Sequence, residues 1–396
     1  FFLSHCHTAH MQGLSNFDFQ KNLVANNRFI YVSHVSAEIL KNMHPFIANN
    51  LVELDFHSST TITLKNKTVC VTPIPAGHCP GSVMFLFEGD KTVLYTGDYR
   101  INSSDISKLK AFYDSLNNQK KIDAVYLDTT FFLKEYEKFP SRAESLDEIC
   151  NIINEWISKS DKHIIALNTQ AKYGYEYLFM EISKQVKMPI HVNDDIYEFY
   201  KRVPELDQAI TKDRNKTKVH CACGSHYTTI CRNTVYYKVK NIKVSAFRWK
   251  SDSLQKGISE SNEYTHYVCY STHASYEEGV ALLKFLKPKK VEPNVLHRDQ
   301  TLNAQIYQNI DQNLEQDEPK AKKVKLFKLE EKINTPEENS EDSGWDNGIL
   351  DSPPRKFGFW LLVRNFQKVL LFYFWHQMLW LWKLRIQNQI SPVFKD

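Results

Sequence analysis

Short apolar runs separated by turn residues dominate the first third of the chain. Val69 to Pro75, Ser82 to Phe87 and Thr92 to Thr96 are rich in β-forming residues, and Glu88-Gly89-Asp90 reads as a hairpin turn between the last two. Ile122 to Leu127 predicts another short, buried strand. The period then changes. Pro140-Ser141-Arg142-Ala143-Glu144 is a helix start with Ser141 and Glu144 at capping-box spacing, and Leu146, Ile149, Ile153, Trp156 and Ile157 supply one apolar face. His163 to Leu167 reads as a strand and Tyr175 to Val186 as a helix. Strand and helix signals in alternation predict an α/β region.

Composition narrows the class without choosing a function. Of 396 residues, 42% are hydrophobic and 24% charged, which describes a globular chain of two domains, or one domain with an insertion. The formal net charge of +4 permits binding to a polyanion without arguing for it. Eight cysteines are too few for a disulfide scaffold, and the crowding of Cys221, Cys223 and Cys231 suits reduced thiols of the cytosol or nucleus. The sequence includes no charged-apolar-small leader, which a truncated start could have removed.

Residues 301–356 change character, with Glu, Asp, Lys, Asn and Gln in excess, and read as a charged linker. Within it Pro319 to Lys325 is a basic cluster that fits a nuclear localisation signal and equally a solvated linker. Residues 357–396 form an apolar tail rich in Trp, Phe and Leu. Its clean run from Val369 to Trp382 falls short of the roughly 20 residues of a spanning helix, so no membrane partner is expected.

The densest candidate chemistry precedes the strands. Ser4-His5-Cys6-His7-Thr8-Ala9-His10 places histidines at i, i+2 and i+5 directly after the apolar Phe1-Phe2-Leu3. An apolar strand that ends in such a loop aims several imidazoles at one ion, and histidine is a common zinc ligand. Ala76-Gly77-His78-Cys79-Pro80-Gly81 and Tyr95-Thr96-Gly97-Asp98 each stand where a strand stops. Histidines and carboxylates delivered by several loops suggest a hydrolytic centre of one or two metals. The plainer alternative is a set of hydrogen-bonded histidines at strand ends.

The order HxHxxH, AGHCPGS, TGD resembles the metallo-β-lactamase superfamily. Val125 to Phe131 and Ser271-Thr272-His273-Ala274-Ser275 resemble two signatures of its β-CASP nucleic-acid-processing branch. His5-Cys6-His7, Met11 to Leu14 and Tyr173 to Phe179 are similar to the DNA-repair nucleases of that branch, and the likeness runs in order over roughly residues 1 to 296. It implies an α/β fold: an αββα metallo-β-lactamase sandwich interrupted by an inserted α/β β-CASP domain. The expected divisions are a core over 1–135, the insertion over 136–250, a return segment over 251–300 carrying His273, the linker over 301–356 and the tail over 357–396. Nothing in the family resembles the tail, which reads as an error of the gene model. The start at Phe1, without the family's preceding strand, reads as a fragment or as the same kind of error.

The resemblance also implies roles. His5, His7 and His78 match the ligands of a first zinc, Asp98 a carboxylate bridging two metals, and His10 and His273 ligands of a second. Asp98, Asp128 and His273 are the positions expected to act in catalysis, Asp128 by orienting a ligating histidine. The family pattern is HxHxDH, and Ala9 stands where its aspartate belongs, so the second site lacks one donor. His191, His220, Cys223 and Cys231 resemble a structural zinc site of the inserted domain. Cys221 or His226 could replace a named ligand, and ordinary buried thiols with surface histidines are the alternative. Ser271, Thr272, Ser275 and Lys172 are candidate phosphate contacts, joined by Lys287, Lys289 and Lys290, while Phe131, Phe132 and Tyr173 are candidates for stacking on bases.

The expected cofactors are one or two Zn2+ in the active site and one structural Zn2+, with Mg2+ or Mn2+ as substitutes. The expected function is a zinc-dependent phosphodiesterase, a DNA nuclease acting at single-stranded ends or hairpins in double-strand break repair by end joining. It would work in the nucleus beside end-joining kinase and ligase proteins. The alternative is a catalytically inactive paralogue that binds DNA or repair partners, with Ala9 its main support. RNA cleavage is weaker, because the Tyr173 to Phe179 block favours the DNA-repair members. A small-molecule lactamase lacks the inserted domain.

Overall fold

The computed structural model describes residues 1–314 and 355–356, apart from 65–66, 170–173, 202, 204–205, 222–235 and 263–264. The basic cluster at 319–325 and the apolar tail lie outside the described residues. Among the described residues no helix is long and apolar enough to cross a membrane.

The core begins with helix α1 (Phe17–Ala25), strand β1 (Ile30–Ser33), helix α2 (His34–Met43) and strand β2 (Leu51–Leu54). Asn16 and Ser33 cap α1 and α2 by accepting from Phe19 N and Ser36 N. β1 and β2 pair in parallel, and Phe1 to Leu3 run beside β1, joined to it by a single bridge from Phe2 to Tyr31. An antiparallel meander follows: β3 (Thr60–Leu64), β4 (Lys67–Pro75), β5 (Val83–Glu88) and β6 (Thr92–Tyr95). β7 (Ala124–Leu127) then joins β6 in parallel.

Alternation along β5 explains the layering. Val83, Phe85 and Phe87 point into a cluster with Phe2, Tyr31 and Val52 of the small sheet, while Met84 and Leu86 face the opposite side. Both faces are buried, so the strands read as continuous apolar runs.

The chain leaves this core through α3 (Arg142–Ile157), whose Ser141–Glu144 capping box forms as its spacing predicts. The insertion continues through β8 (His163–Asn168), α4 (Glu176–Val186), β9 (Ile190–Val192), α5 (Asp194–Tyr200), β10 (Ile210–Thr211), β11 (Val219–Cys221) and β12 (Lys238–Ser245). After α6 (Ser251–Leu254) come β13 (Ser259–Ser261) and β14 (Thr265–Cys269). These strands build one seven-stranded sheet in the order β10-β9-β11-β8-β12-β14-β13. The chain returns through α7 (Tyr276–Leu286) and β15 (Lys290–Pro293), which completes a six-stranded core sheet in the order β15-β7-β6-β5-β4-β3. β16 (Val295–Leu296) and α8 (Gln300–Leu314) follow. α7 and α8 cover the outer face of that sheet through Leu282, Leu283, Leu286, Ile306 and Ile310. With α1 and α2 on the far side, the layers run α, β, β, α, the fold expected of the sequence.

Two expected divisions shift. β13 and β14 hydrogen-bond within the inserted sheet, so the insertion runs to about Cys269 and not to 250. Residues 301–314 are helix and not linker. Ile306 and Ile310 give α8 a narrow apolar stripe, and the buried Asn303 and Asn309 bond the carbonyls of His297 and Phe132, which a composition-based reading counts as linker polarity.

Candidate metal centre

The candidate chemistry gathers where strands end. β4 runs into the loop that carries His78, β6 into Asp98, β7 into Asp128 and β14 into His273, while the loop after Leu3 brings His5, His7 and His10. The Asp98 loop interlocks with the loop after Leu3 at Gly97, whose φ of +54° suits glycine and where a Cβ would lie 2.8 Å from Ser4 Cβ. His5, His78 and Asp98 are 2% exposed or less.

His7 Nδ1 stands 3.1 Å from His5 Nε2 and 3.0 Å from His78 Nε2. Nitrogens at tetrahedral corners around one zinc, each about 2.0–2.1 Å from it, are roughly 3.3 Å apart. Asp98 Oδ2 lies 3.6 Å from both His5 Nε2 and His78 Nε2, so four donor atoms converge.

Hydrogen bonding fixes which atoms are lone pairs. His78 Nδ1 is 2.8 Å from the carbonyl of Thr272, which can only accept, so Nδ1 carries the proton and Nε2 offers its lone pair inward. Burial, reinforced by His273 and His7, drives the His78 pKa well below its ordinary value and keeps the ring neutral. His273 Nδ1 likewise donates to Asp128 Oδ2 at 2.8 Å, leaving Nε2 4.0 Å from Asp98 Oδ2. Lone pairs facing one another in a buried pocket repel, and a cation between them removes the conflict. The donor set therefore fits a divalent metal.

A second grouping shares Asp98. His10 Nε2 lies 3.2 Å from Asp98 Oδ2, and His273 faces the same oxygen. Asp128 falls within reach of a metal here. Its Oδ1, however, accepts from Thr130 N and Oγ1, and its Oδ2 accepts from Tyr99 N and from His273. Those bonds engage both Asp128 oxygens, one of them on His273 Nδ1. Ala9 is half-buried in the turn from His7 to His10 and contributes no donor.

The remaining expected residues divide. Ser271 Oγ is committed to the His273 backbone, donating to its carbonyl and accepting from its amide, and Ser275 Oγ caps α7. Both are 2% exposed or less, so neither presents an open hydroxyl for phosphate; Thr272 is half-buried, with its carbonyl on His78. Lys289 and Lys290 pair with Asp123 and Glu292 near the start of β15, at the end of the sheet away from Asp128. Phe131 and Phe132 are core residues at 2% exposure and are not stacking platforms. Lys172 and Tyr173 lie outside the described residues. His191 and His220 are register partners on β9 and β11, with Nδ1 atoms 3.1 Å apart, whereas Cys223, His226 and Cys231 lie outside the described residues.

One residue escaped the sequence reading. Arg100, two positions after Asp98, bonds the carbonyls of Pro140 and Ser271 at 2.8 and 2.9 Å and meets Glu278 at 3.3 Å. It therefore ties the outgoing and returning crossings of the insertion to the loop of Asp98. An arginine so close to a candidate ligand was the available signal.

Comparison with known proteins gives this geometry a context. Residues 204–299 match the family described as DNA repair metallo-beta-lactamase. Protein artemis of Gallus gallus is 36% identical over 323 residues, covering 75% of this chain and 44% of that one. Protein artemis of Homo sapiens is 31% identical over 378 residues, covering 88% and 53%. The DNA cross-link repair 1A protein of Mus musculus is 26% identical over 318 residues, covering 74% and 28%. The chain spans about half the length of the artemis relatives it matches.

Proposed function

Because this chain is an Artemis-like protein of the metallo-β-lactamase/β-CASP superfamily, we propose that it is a metal-dependent DNA nuclease of double-strand break repair. It acts as a 5′ exonuclease, a structure-specific endonuclease at hairpins and overhangs, or both. The observation that carries this reading is the buried convergence of His5, His7, His78 and Asp98 beside the His273–Asp128 pair.

Zn2+ is the proposed metal, since three imidazoles and a carboxylate suit its borderline-soft character, with Mg2+ or Mn2+ as substitutes. A bound divalent ion there supplies activated water and neutralises charge that develops on a phosphoryl group. His5, His7 and His78 hold the first ion, and Asp98 leans toward both positions. His10 and His273 serve the second, with Asp128 holding the proton on His273 Nδ1 so that Nε2 stays a lone pair. His191, His220, Cys223 and Cys231 are proposed to hold a structural zinc. The proposed location is the nucleus, among end-joining kinase and ligase proteins.

The test is cleavage of a labelled duplex with a single-stranded overhang, alongside metal content, for the chain as given and for Ala9→Asp. A rise in both bound zinc and cleavage in Ala9→Asp is expected, because the variant restores a carboxylate beside His10. Absence of cleavage by either protein under zinc, magnesium and manganese overturns the nuclease reading.

A further inference from the structure

The inserted domain reaches back to the candidate metal centre at one point that the roles above leave out. His7 directs Nδ1 at His5 and His78, so its Nε2 edge turns away from the centre. That edge lies beneath Gly174, which has a φ of +96°. A Cβ added there would stand 3.1 Å from His7 Nε2 and 3.2 Å from Cε1. The backbone of the inserted domain thus packs against the ring closely enough that even a methyl there would push the imidazole aside by a few tenths of an ångström.

Gly174 is held in turn by a buried carboxylate. Its amide donates to Glu176 Oε1 at 2.9 Å, and the Tyr200 hydroxyl donates to the same oxygen. Glu176 is 3% exposed and opens α4, while Tyr200 is 2% exposed and closes α5. Burying a carboxylate is costly unless hydrogen bonds compensate. Glu176 accepts from Gly174, Tyr200 and its own amide and feels the Arg142 charge, yet burial outweighs these and its Oε2 has no hydrogen-bond partner among the described residues. Such a residue costs stability, which calls for a gain elsewhere, and here the loop it fixes ends on a candidate ligand.

We infer that Glu176 is a positioning residue for the metal centre: with Tyr200 it clamps Gly174 onto His7 and sets the orientation of that imidazole. The inference rests on the metal reading above. Outer groups that orient ligating histidines alter metal affinity about 10–100-fold when removed. Glu176→Gln keeps an oxygen that accepts from both Gly174 and Tyr200, whereas Glu176→Ala keeps neither bond.

The test uses the full chain loaded with Co2+, its visible absorption spectrum and its affinity measured by chelator competition. Expected are at least a tenfold loss of cobalt affinity and an altered spectrum in Glu176→Ala, with Glu176→Gln within about threefold of the parent. Gly174→Ala, which leaves Glu176 in place but pushes a methyl at His7, is expected to alter the spectrum as well. It decides the matter if Glu176→Ala does not fold. Parent-like affinity and spectrum in the folded Glu176→Ala, or in Gly174→Ala, overturn the clamp while leaving the metal reading intact. A parent chain that binds no cobalt refutes the metal centre and the clamp together.

Discussion

Replacing Arg100 by methionine keeps an unbranched apolar stem and removes the guanidinium. Three bonds go with it, to Ser271 O at 2.9 Å, Pro140 O at 2.8 Å and Glu278 Oε1 at 3.3 Å. Bonds to a charged donor contribute about 1.5–3 kcal/mol each, less when partners regain water. The Glu278 side chain is 18% exposed, and its other oxygen still caps the Ser275 amide, so part of that loss is recovered. A net destabilisation of about 3–5 kcal/mol is the expected result, in the range for breaking a buried ion pair. Urea titration of metal-loaded protein measures it. Limited proteolysis near Pro140 and Ser271 should quicken in parallel, because both crossings of the insertion lose their common tie. Arg100→Lys should fall between, as one ammonium lacks the planar fork that spans two carbonyls. A loss under about 1 kcal/mol in the methionine variant, with unchanged proteolysis, would refute the reasoning that Arg100 joins the two domains.

Three further outcomes are expected. Gly279→Ala places a Cβ 2.7 Å from Phe132 Cδ2, so despite alanine's better helix propensity it should cost about 1–3 kcal/mol, read as a lower melting temperature; a higher one rules out the close packing of α7 on Phe132. Burial pushes the thiols of Cys6, Cys150 and Cys269 up to about 12, so only about one in ten thousand is thiolate at pH 8; peptide mapping after a brief maleimide pulse should find these three unlabelled in the folded chain and labelled in urea. Burial raises the Glu176 pKa above the usual 4.5, so the folded chain holds that proton more tightly than the unfolded one. Stability should then fall as pH rises from 4.5 to the folded value, a decline that Glu176→Gln should lessen in melting curves across pH 4.5–8 and that would have to be identical in both proteins for this account to fail.

The last three strands of the meander and the first inserted helix were legible because local signals and tertiary packing agree there. β4, β5 and β6 lie close to their expected spans, and the Ser141–Glu144 box starts α3 where its spacing places it. Composition misled where burial is narrow: α8 hides only two isoleucines and two asparagines, so its polar majority resembled a linker. The serines around His273 misled for another reason. A hydroxyl in a loop looks available in sequence, but Ser271 and Ser275 spend theirs on the turn and the helix cap that aim the histidine. Arg100 reaches partners 40 and 171 positions away, and Glu176 a partner 24 positions away, relations that spacing alone does not carry.

The site's dependence on the insertion explains why its motifs are spread so widely. His5, His7, His78 and Asp98 come from the first 98 residues, yet two of the imidazoles are met by residues from much later in the chain. Thr272 O fixes the tautomer of His78, and the Gly174 backbone rests on His7. His273 itself arrives only after the chain has completed the inserted sheet. On the proposed metal reading, such a site is assembled only when the insertion is seated. The tie at Arg100 and the clamp at Glu176 therefore belong to the same problem, that of holding imidazoles from distant parts of the chain to within a fraction of an ångström. Ala9 is a loss of a different kind: it removes a donor from the second grouping but touches none of these supports. Restoring aspartate there should add a ligand to a frame that is already in place.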